Sequence, residues 1–296
     1  MRFKATLLLP LAILALGAMP ACSGDSDDPK PDAGDSPDSG TPDSGTPDSG
    51  TPDSGTPDSG TPNGGDGGTG TASCPSHAMF CETFENGQGS WDEQKTHATI
   101  TADGTKPHTG SRSLHVVTED GIDEKQGEGE AIARWIRSLS PTFSTQLFVR
   151  AHVFMTSLPG DFGQMGTFFV LFSDAGNDFG GFELQVIQDT GFALDDWSAR
   201  NGQGWNRQGP PVNLGMSTGR WVCLEWEVRR PTASSTHGTT TVYVDGAKAH
   251  EFTEIGMRSF NTFMVGYGFV HPQGPSASET WIDNVAVSST QRIGCE

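Results

Sequence analysis

The chain has 296 residues and a formal net charge of −19, and residues 74–296 alone hold 26 acidic side chains against 15 lysines and arginines. A domain of this charge binds nucleic acid poorly, because neutralising phosphates requires clustered lysine and arginine. The composition therefore excludes nucleic acid from the predicted partners.

The first 21 residues have the pattern of an export signal. Arg2 and Lys4 precede an apolar run over residues 7–19, which is too short to span a membrane comfortably, and Cys22 follows. The pattern resembles a bacterial lipoprotein signal, in which Cys22 becomes the acylated first residue. An ordinary secretory signal cut near Ala21 is the alternative. We expect an exported protein whose only contact with a membrane is this lipid anchor.

Residues 22–73 form a low-complexity tether. Thr-Pro-Asp-Ser-Gly repeats four times over residues 41–60, among further aspartate, glycine and proline. Such a segment buries too little apolar surface to offset the entropy cost of ordering it. Proline stiffens it and aspartate repulsion extends it. Ser23 follows the cysteine in place of aspartate, which in Gram-negative lipoproteins indicates the outer membrane or the cell surface.

Residues 74–296 have the pattern of an all-β domain. Trp221–Arg229 alternates apolar and polar side chains throughout, as a strand with one buried face does. Asp245-Gly246 is a hairpin turn signal. No segment shows twelve residues of helical periodicity, so the pattern predicts a two-sheet antiparallel jelly roll. The predicted strands are Cys81–Glu85, Ala98–Thr101, Ser113–Thr118, Ala131–Arg137, Gln146–Met155, Thr167–Phe172, Phe182–Ile187, Trp221–Arg229, Thr239–Asp245, Thr262–Val270 and Thr280–Ser288.

Four cysteines lie beyond the tether, and an even number in an exported chain indicates disulfides. Three pairings are possible. We favour Cys74–Cys81, which closes a short loop, and Cys223–Cys295, which would clamp the C-terminus onto a core strand. A zinc site is the alternative, but the chain has no Cys-x-x-Cys pair.

Six short motifs occur in a fixed order along this domain. They are Phe84-Glu85-Asn86-Gly87, His108-Thr109-Gly110-Ser111-Arg112-Ser113-Leu114, Phe148-Val149-Arg150-Ala151, Trp221-Val222-Cys223-Leu224-Glu225, Trp281-Ile282-Asp283-Asn284-Val285 and Arg292-Ile293-Gly294-Cys295. Their order resembles the core domain of the Cip family, a concanavalin A-like jelly roll similar to glucuronan lyases. The resemblance spans nearly all of residues 80–296 and implies polysaccharide as the partner.

A metal site is expected where the first and last strands meet. Glu85 ends the first predicted strand, and Asp283 lies within the last. Two carboxylates at one place repel each other unless a hard cation neutralises them. The resemblance implies a structural Ca²⁺ here, with Glu85, Thr109, Arg112 and Asp283 as ligands and main-chain oxygens serving for Thr109 and Arg112. The alternative is that the carboxylates are ordinary solvated groups. The denser acidic stretch 120–130 lacks the spacing of an EF-hand loop.

The candidate catalytic residues follow from what a uronate lyase must do. It neutralises the substrate carboxylate, removes the C5 proton and protonates the leaving oxygen, tasks that suit arginine, amide, histidine and tyrosine side chains. The candidates are Arg150, His152, Tyr243 and Gln185, with Arg134, Tyr267 and His271 as further ones. The resemblance implies cleft cations on the strands at 167–172 and 182–187. They are not evident, because Glu183 stands where a cation is expected.

Two other site hypotheses remain. Glu225 and Glu227 lie on one face of a strand, at a spacing within reach of a retaining glycoside hydrolase. Alternatively, a sugar-binding surface is expected in the polar stretch 195–209, where Trp197, Trp205 and Arg200 offer stacking and hydrogen bonding.

The sequence thus predicts an exported, membrane-anchored lipoprotein whose polysaccharide lyase-like jelly roll binds or degrades polysaccharide. A non-catalytic surface adhesion or structural protein is the alternative, because a long tether suits it equally.

Overall fold

A computed structural model describes residues 74–160, 164–187, 191–196, 205–206 and 215–295. The predicted signal, the tether and Cys22 lie outside these residues. The strands are β1 (Phe80–Glu82), β2 (Asp92–Thr96), β3 (Ala98–Asp103), β4 (Ser113–Thr118), β5 (Ala131–Ser138), β6 (Gln146–Met155), β7 (Gly166–Ser173), β8 (Gly180–Ile187), β9 (Gly191–Asp195), β10 (Trp205–Asn206), β11 (Trp221–Arg229), β12 (His237–Val244), β13 (Ala247–Gly256), β14 (Thr262–Phe269) and β15 (Ser278–Ser288). A 3₁₀ helix spans Glu124–Gln126.

The strands form two antiparallel sheets, which confirms the predicted jelly-roll class. The first sheet has the order β13-β12-β11-β6-β15-β4-β3, with β1 also paired to β15. The second has the order β10-β9-β8-β7-β14-β5-β2. The first and last strands therefore lie side by side, as expected. Within the described ranges, no helix has the length and apolar character needed to cross a membrane.

The core lies between the two sheets. The apolar set of β11 faces inward, and Trp226 on this strand is fully buried. Its ring lies 6.2 Å from that of Phe169 and 5.4 Å from that of Phe182, both on the opposite sheet. A buried aromatic side chain typically contributes about 2 kcal/mol through the apolar area it removes from water. The alternation predicted for Trp221–Arg229 thus places Trp226 where it packs against the opposite sheet.

Each of the eleven predicted strands overlaps a strand of the structure, and four further strands were not predicted. Three of these, β2, β10 and β13, lie at sheet edges. All five residues of β2 are exposed. An edge strand has a partner on one side only and often carries charged side chains, so it lacks the apolar alternation that marks a central strand.

Two local expectations have different outcomes. The Asp245-Gly246 turn joins β12 to β13 with φ values of 49° and 82°, the left-handed pair that a tight hairpin requires. By contrast, β1 ends at Glu82, so Glu85 lies in the turn that follows and does not end the strand.

Two disulfides join Cys74 to Cys81 and Cys223 to Cys295. These are the partners that the sequence favours. The second bond ties the chain end to β11 across 72 residues of sequence.

Candidate functional site

The structure does not bring the four catalytic candidates together. Arg150, His152 and Tyr243 lie on strands of the first sheet, whereas Gln185 lies on β8 of the second. All three belong to the outer face of the first sheet, because their neighbours Ala151, Val153, Val242 and Val244 face the core. No single active site can use all four side chains.

Arg150 and Tyr243 hold the C-terminal segment in place. Glu225, which is 2% exposed, accepts hydrogen bonds from Arg292 Nε at 3.0 Å and from the Gly294 N–H at 2.9 Å. Arg150 donates to the Gly294 carbonyl at 3.3 Å. The Arg292 guanidinium lies 3.6 Å from the centre of the Tyr243 ring. Together with the Cys223–Cys295 bond, these contacts form what we call the C-terminal clamp.

The clamp also accounts for Glu225 and Glu227, the pair considered for hydrolysis. Glu225 is bonded to Arg292 and Gly294, and Glu227 accepts a hydrogen bond from the Tyr243 hydroxyl at 3.3 Å and pairs with Arg229. Cys223 and Cys295 lie close to Glu225 in a metal-like grouping. Their sulfurs are joined to each other, so they offer no thiolate to zinc.

His152 is a buried, neutral side chain. Its ring stacks on that of His108 with centroids 3.8 Å apart. Burial, followed by the nearby His108 and Arg150 charges, lowers the pKa of His152 to about 3. Tyr267, a further candidate, packs in the core against Phe168, with ring centroids 5.0 Å apart. Neither side chain lies on the outer face of the second sheet.

The expected metal ligands do converge on one loop. Asp283 Oδ2 accepts hydrogen bonds from the N–H groups of His108 and Thr109 at 2.9 and 3.1 Å. Glu85 Oε1 accepts from the N–H groups of Ser111 and Arg112 at 2.8 and 3.1 Å. Thr109 and Arg112 thus contact the carboxylates through main-chain N–H groups. The expected metal ligands were their main-chain oxygens.

The chemistry of this corner fits a hard cation. Burial, with a smaller contribution from the Glu85 charge, raises the pKa of Asp283 to about 6. Each carboxylate keeps lone pairs beyond those that the N–H groups occupy. The two acidic groups, one of them fully buried, offer carboxylate oxygens of the kind that Ca²⁺ binds, whereas the main-chain groups that contact them are N–H donors and not ligands.

A different group of polar side chains lies on the outer face of the second sheet. Glu183, which is 3% exposed, forms an ion pair with Arg134 at 3.3 Å. The Thr167 hydroxyl donates to Glu183 at 2.9 Å, and the Gln185 amide donates to that hydroxyl at 3.3 Å. We call these four residues the Arg134 network.

Strand register explains how the network forms. On β8, Phe182, Leu184 and Val186 face the core, so Glu183 and Gln185 face outward. Gln185 pairs with Thr167 on β7. Arg134 lies on β5, two strands beyond β7, and Gly266 stands opposite it on β14. Because Gly266 has no side chain, Arg134 can extend across β14 toward Glu183.

Two further carboxyl groups border the network. Asp195 on β9 lies directly opposite Glu183. Burial and then the Glu183 charge raise the pKa of Asp195 to about 6. Burial also raises the pKa of Glu130. His271, which follows β14, acts in the opposite direction on both groups. Acids with raised pKa values in one place are typical of functional sites.

The network contains buried polar atoms that lack partners. Arg134 Nε and Gln185 Oε1 are fully covered, yet neither has a hydrogen-bond partner among the described residues. Such atoms cost about 1–3 kcal/mol each in a folded protein. Arg150 Nε and His152 Nδ1 on the first sheet are buried in the same state, so what is particular to the network is the pairing of an open guanidinium donor with an open amide acceptor. A ligand with hydroxyl groups would satisfy both.

The sequence places Gln185, Glu183 and Arg134 on predicted strands but does not indicate that they form one group. The signal was present in β8, where two polar residues alternate with core residues. What the pattern could not show is that Arg134 supplies the cation from β5. Of the predicted sugar-binding residues, Trp197 and Arg200 lie outside the described residues, and Trp205 lies in β10, where its side chain is not described.

Comparisons with known proteins bear on the fold. No protein-family model matches the chain, and no curated protein sequence matches it. Among solved structures, it is similar to the cellulose-induced protein Cip1, with 15% identity and a TM-score of 0.54 over 73% of this chain and 100% of that chain. It is also similar to an endo-beta-1,4-glucuronan lyase from the fungus Trichoderma reesei, with 16% identity and a TM-score of 0.54 over 72% of this chain and 96% of that chain. At these identities the similarity establishes the shared jelly-roll fold.

Asp195 leads to a prediction about stability and pH. Because its pKa is raised to about 6, the folded protein holds this proton more tightly than the unfolded chain does. Protonated Asp195 therefore stabilises the folded state below about pH 4. This stabilisation, up to about 3 kcal/mol, is lost as the pH rises through about 6. The unfolding free energy of Asp195→Asn should therefore rise relative to that of wild type between pH 4 and pH 7.

Urea denaturation at several pH values measures this difference. Asp92→Asn, which removes an exposed acid from β2, controls for the change in net charge. A difference between Asp195→Asn and wild type that stays constant with pH, or that changes in the opposite direction, would contradict the buried state of this carboxyl.

Proposed function

We propose that this chain is an exported, lipid-anchored protein that binds polysaccharide at the outer face of its second sheet. The observation that carries the proposal is the Arg134 network, with its buried Arg134 Nε and Gln185 Oε1 atoms. Sugar hydroxyls can donate and accept, so a single glycan can serve a guanidinium donor and an amide acceptor at once.

The fold supports the choice of ligand. Two structures of the same fold are described as a cellulose-induced protein and as a glucuronan lyase. Both descriptions concern polysaccharides, although at 15% and 16% identity neither assigns a substrate to this chain.

The charges around the network favour a neutral glycan over a polyuronate. Glu130, Glu183 and Asp195 all act electrostatically within this group, and the Arg134 charge is already paired with Glu183. A uronate carboxylate entering here would meet negative charge, and the described residues of the network include no unpaired arginine or lysine to offset it. The lyase reaction expected from the sequence resemblance would need such a cation.

A glycan array probed with the full chain, purified in detergent, tests the proposal. Neutral glycans should bind, and calorimetry on each hit should show at least about a tenfold weaker Kd for Gln185→Leu, because that variant loses both amide contacts. Gln146→Leu makes the same change on the first sheet and should bind as wild type does.

Two other outcomes are informative. Loss of binding in the double variant Trp197→Ala, Trp205→Ala, with Gln185→Leu unaffected, would move the site to the stretch 195–209. No binding to any acidic or neutral glycan would contradict the proposal. Surface adhesion, which the long tether serves equally well, would then be the remaining function.

We further propose that Glu85 and Asp283 hold a structural Ca²⁺. Removing calcium should lower the melting temperature of the wild-type protein, because the two carboxylates then repel each other. Asp283→Ala should melt at the same temperature with and without chelator. Glu128→Ala, in the other acidic stretch, should keep the dependence. Identical wild-type melting curves in metal-free protein with and without added calcium would rule out the site.

The proposed anchor is the acylated Cys22. In membrane fractionation of the expressing bacterium, wild type should sediment with the membrane, and Cys22→Ala should be recovered in the soluble exported fraction. Ser23→Ala leaves the acylation site intact and serves as the control. Equal membrane recovery of Cys22→Ala and wild type would contradict anchoring through this cysteine.

A further inference from the structure

We propose that Glu183 and Asp195 are the nucleophile and the acid/base of a retaining glycoside hydrolase that cleaves a neutral polysaccharide. The inference rests on the proposed function, because it requires a glycan to bind at the outer face of the second sheet. It adds a reaction to that binding and replaces the elimination chemistry that the sequence resemblance implied.

The strand register brings the two carboxyl groups together. Glu183 on β8 and Asp195 on β9 are directly opposite partners in an antiparallel pair. Such partners have Cβ atoms about 4.5–5.5 Å apart when they face the same side of a sheet. Phe192 and Leu194 face the core, so Asp195 shares the outer face with Glu183. Side chains that begin this close can place their carboxyl groups about 5 Å apart, the separation typical of retaining glycosidases, whereas inverting enzymes separate them further.

The surroundings assign different roles to the two groups. Glu183 is buried, and its two oxygens contact Arg134 Nη2 and the Thr167 hydroxyl, so its position and negative charge are both supported. Asp195 is partly exposed, and Glu183, Asp196 and His271 are the titratable groups that act on it. Burial raises its pKa to about 6, so it retains a proton in mildly acidic solution. The carboxyl with the cation and hydroxyl partners suits the nucleophile, and the one that keeps its proton suits the acid.

The reaction balances with water as the second reactant. Glu183 attacks the anomeric carbon, while Asp195 gives its proton to the glycosidic oxygen as the bond to the leaving sugar breaks. The resulting Asp195 carboxylate then takes a proton from water, whose oxygen displaces Glu183 from the anomeric carbon. This step restores both residues and yields a sugar of retained configuration.

A second observation points to a bound sugar at the same place. Gln185 is 1% exposed and lies next to Glu183 in the network, yet its Oε1 has no partner in the part of the chain that the structure describes. Gln185 pairs with Ala193 on β9, whose small side chain takes up little room beside the amide. A sugar hydroxyl donating to Oε1 would orient the ring beside both carboxyl groups.

The experiment incubates the full chain, purified in detergent, with each neutral glycan that it binds. New reducing ends should form, and proton NMR should show the same anomeric configuration in the first product as in the substrate. Glu183→Gln and Asp195→Asn should each lower kcat at least about 100-fold. Glu251→Gln makes the same change on the first sheet and should not affect kcat.

Two further measurements separate catalytic from structural roles. A 2-deoxy-2-fluoro glycoside with an activated leaving group should trap the wild-type protein, and peptide mass spectrometry should find the sugar on Glu183. This test needs no variant, so it stands even if Glu183→Gln does not fold. With an aryl glycoside of low leaving-group pKa, Asp195→Asn should release the first equivalent of the aryl alcohol nearly as fast as wild type, because that group departs without a proton. Later turnovers should stay slow, because no base activates the water that displaces Glu183.

The outcomes distinguish this inference from the binding proposal. Glycan binding without new reducing ends overturns the hydrolase and leaves the binding site standing. Inverted product, or a label on another residue, overturns the role of Glu183. An unsaturated product with ultraviolet absorbance shows elimination and overturns hydrolysis. Absence of both binding and product rejects the binding proposal itself.

Discussion

The apolar interface between the two sheets is the constraint on which the rest of the structure depends. Every central strand places alternate side chains in this interface. Trp226, Phe169 and Phe182, for example, are completely buried in it. Each such side chain typically contributes about 2 kcal/mol. Because a strand alternates strictly, filling the interface also decides which residues face outward. The outer faces are therefore where this fold can carry polar chemistry.

Buried charged side chains have different partners on the two outer faces. On the first sheet, Glu225 has the Arg292 guanidinium and the Gly294 N–H as partners, and the result is the C-terminal clamp. On the second sheet, Arg134 meets Glu183, but Arg134 Nε and Gln185 Oε1 have no partner among the described residues. A buried ion pair is favourable only when its remaining hydrogen bonds are satisfied. Arg150 Nε on the first sheet is also buried without a partner among the described residues, so the two faces differ in the unpaired amide oxygen of Gln185.

Much of the fold could be predicted from local pattern, and the site mostly could not. Central strands such as Trp221–Arg229 alternate clearly, while the edge strands β2 and β13 do not, because water rather than a core surrounds many of their side chains. Arg150 and His152 looked like a catalytic pair because they share a strand face. In the structure, contacts with the C-terminal segment and with His108 occupy that face.

The sequence by itself determined the all-β class, the side of each central strand that enters the core, and the Asp245-Gly246 turn, because these depend on residues adjacent along the chain. Only the tertiary structure decided that Arg134 reaches Glu183 across β14 and β7, and that Glu183 stands opposite Asp195. These contacts depend on strand order and register. Both are set by the packing of the whole sandwich, so no local stretch of sequence contains them.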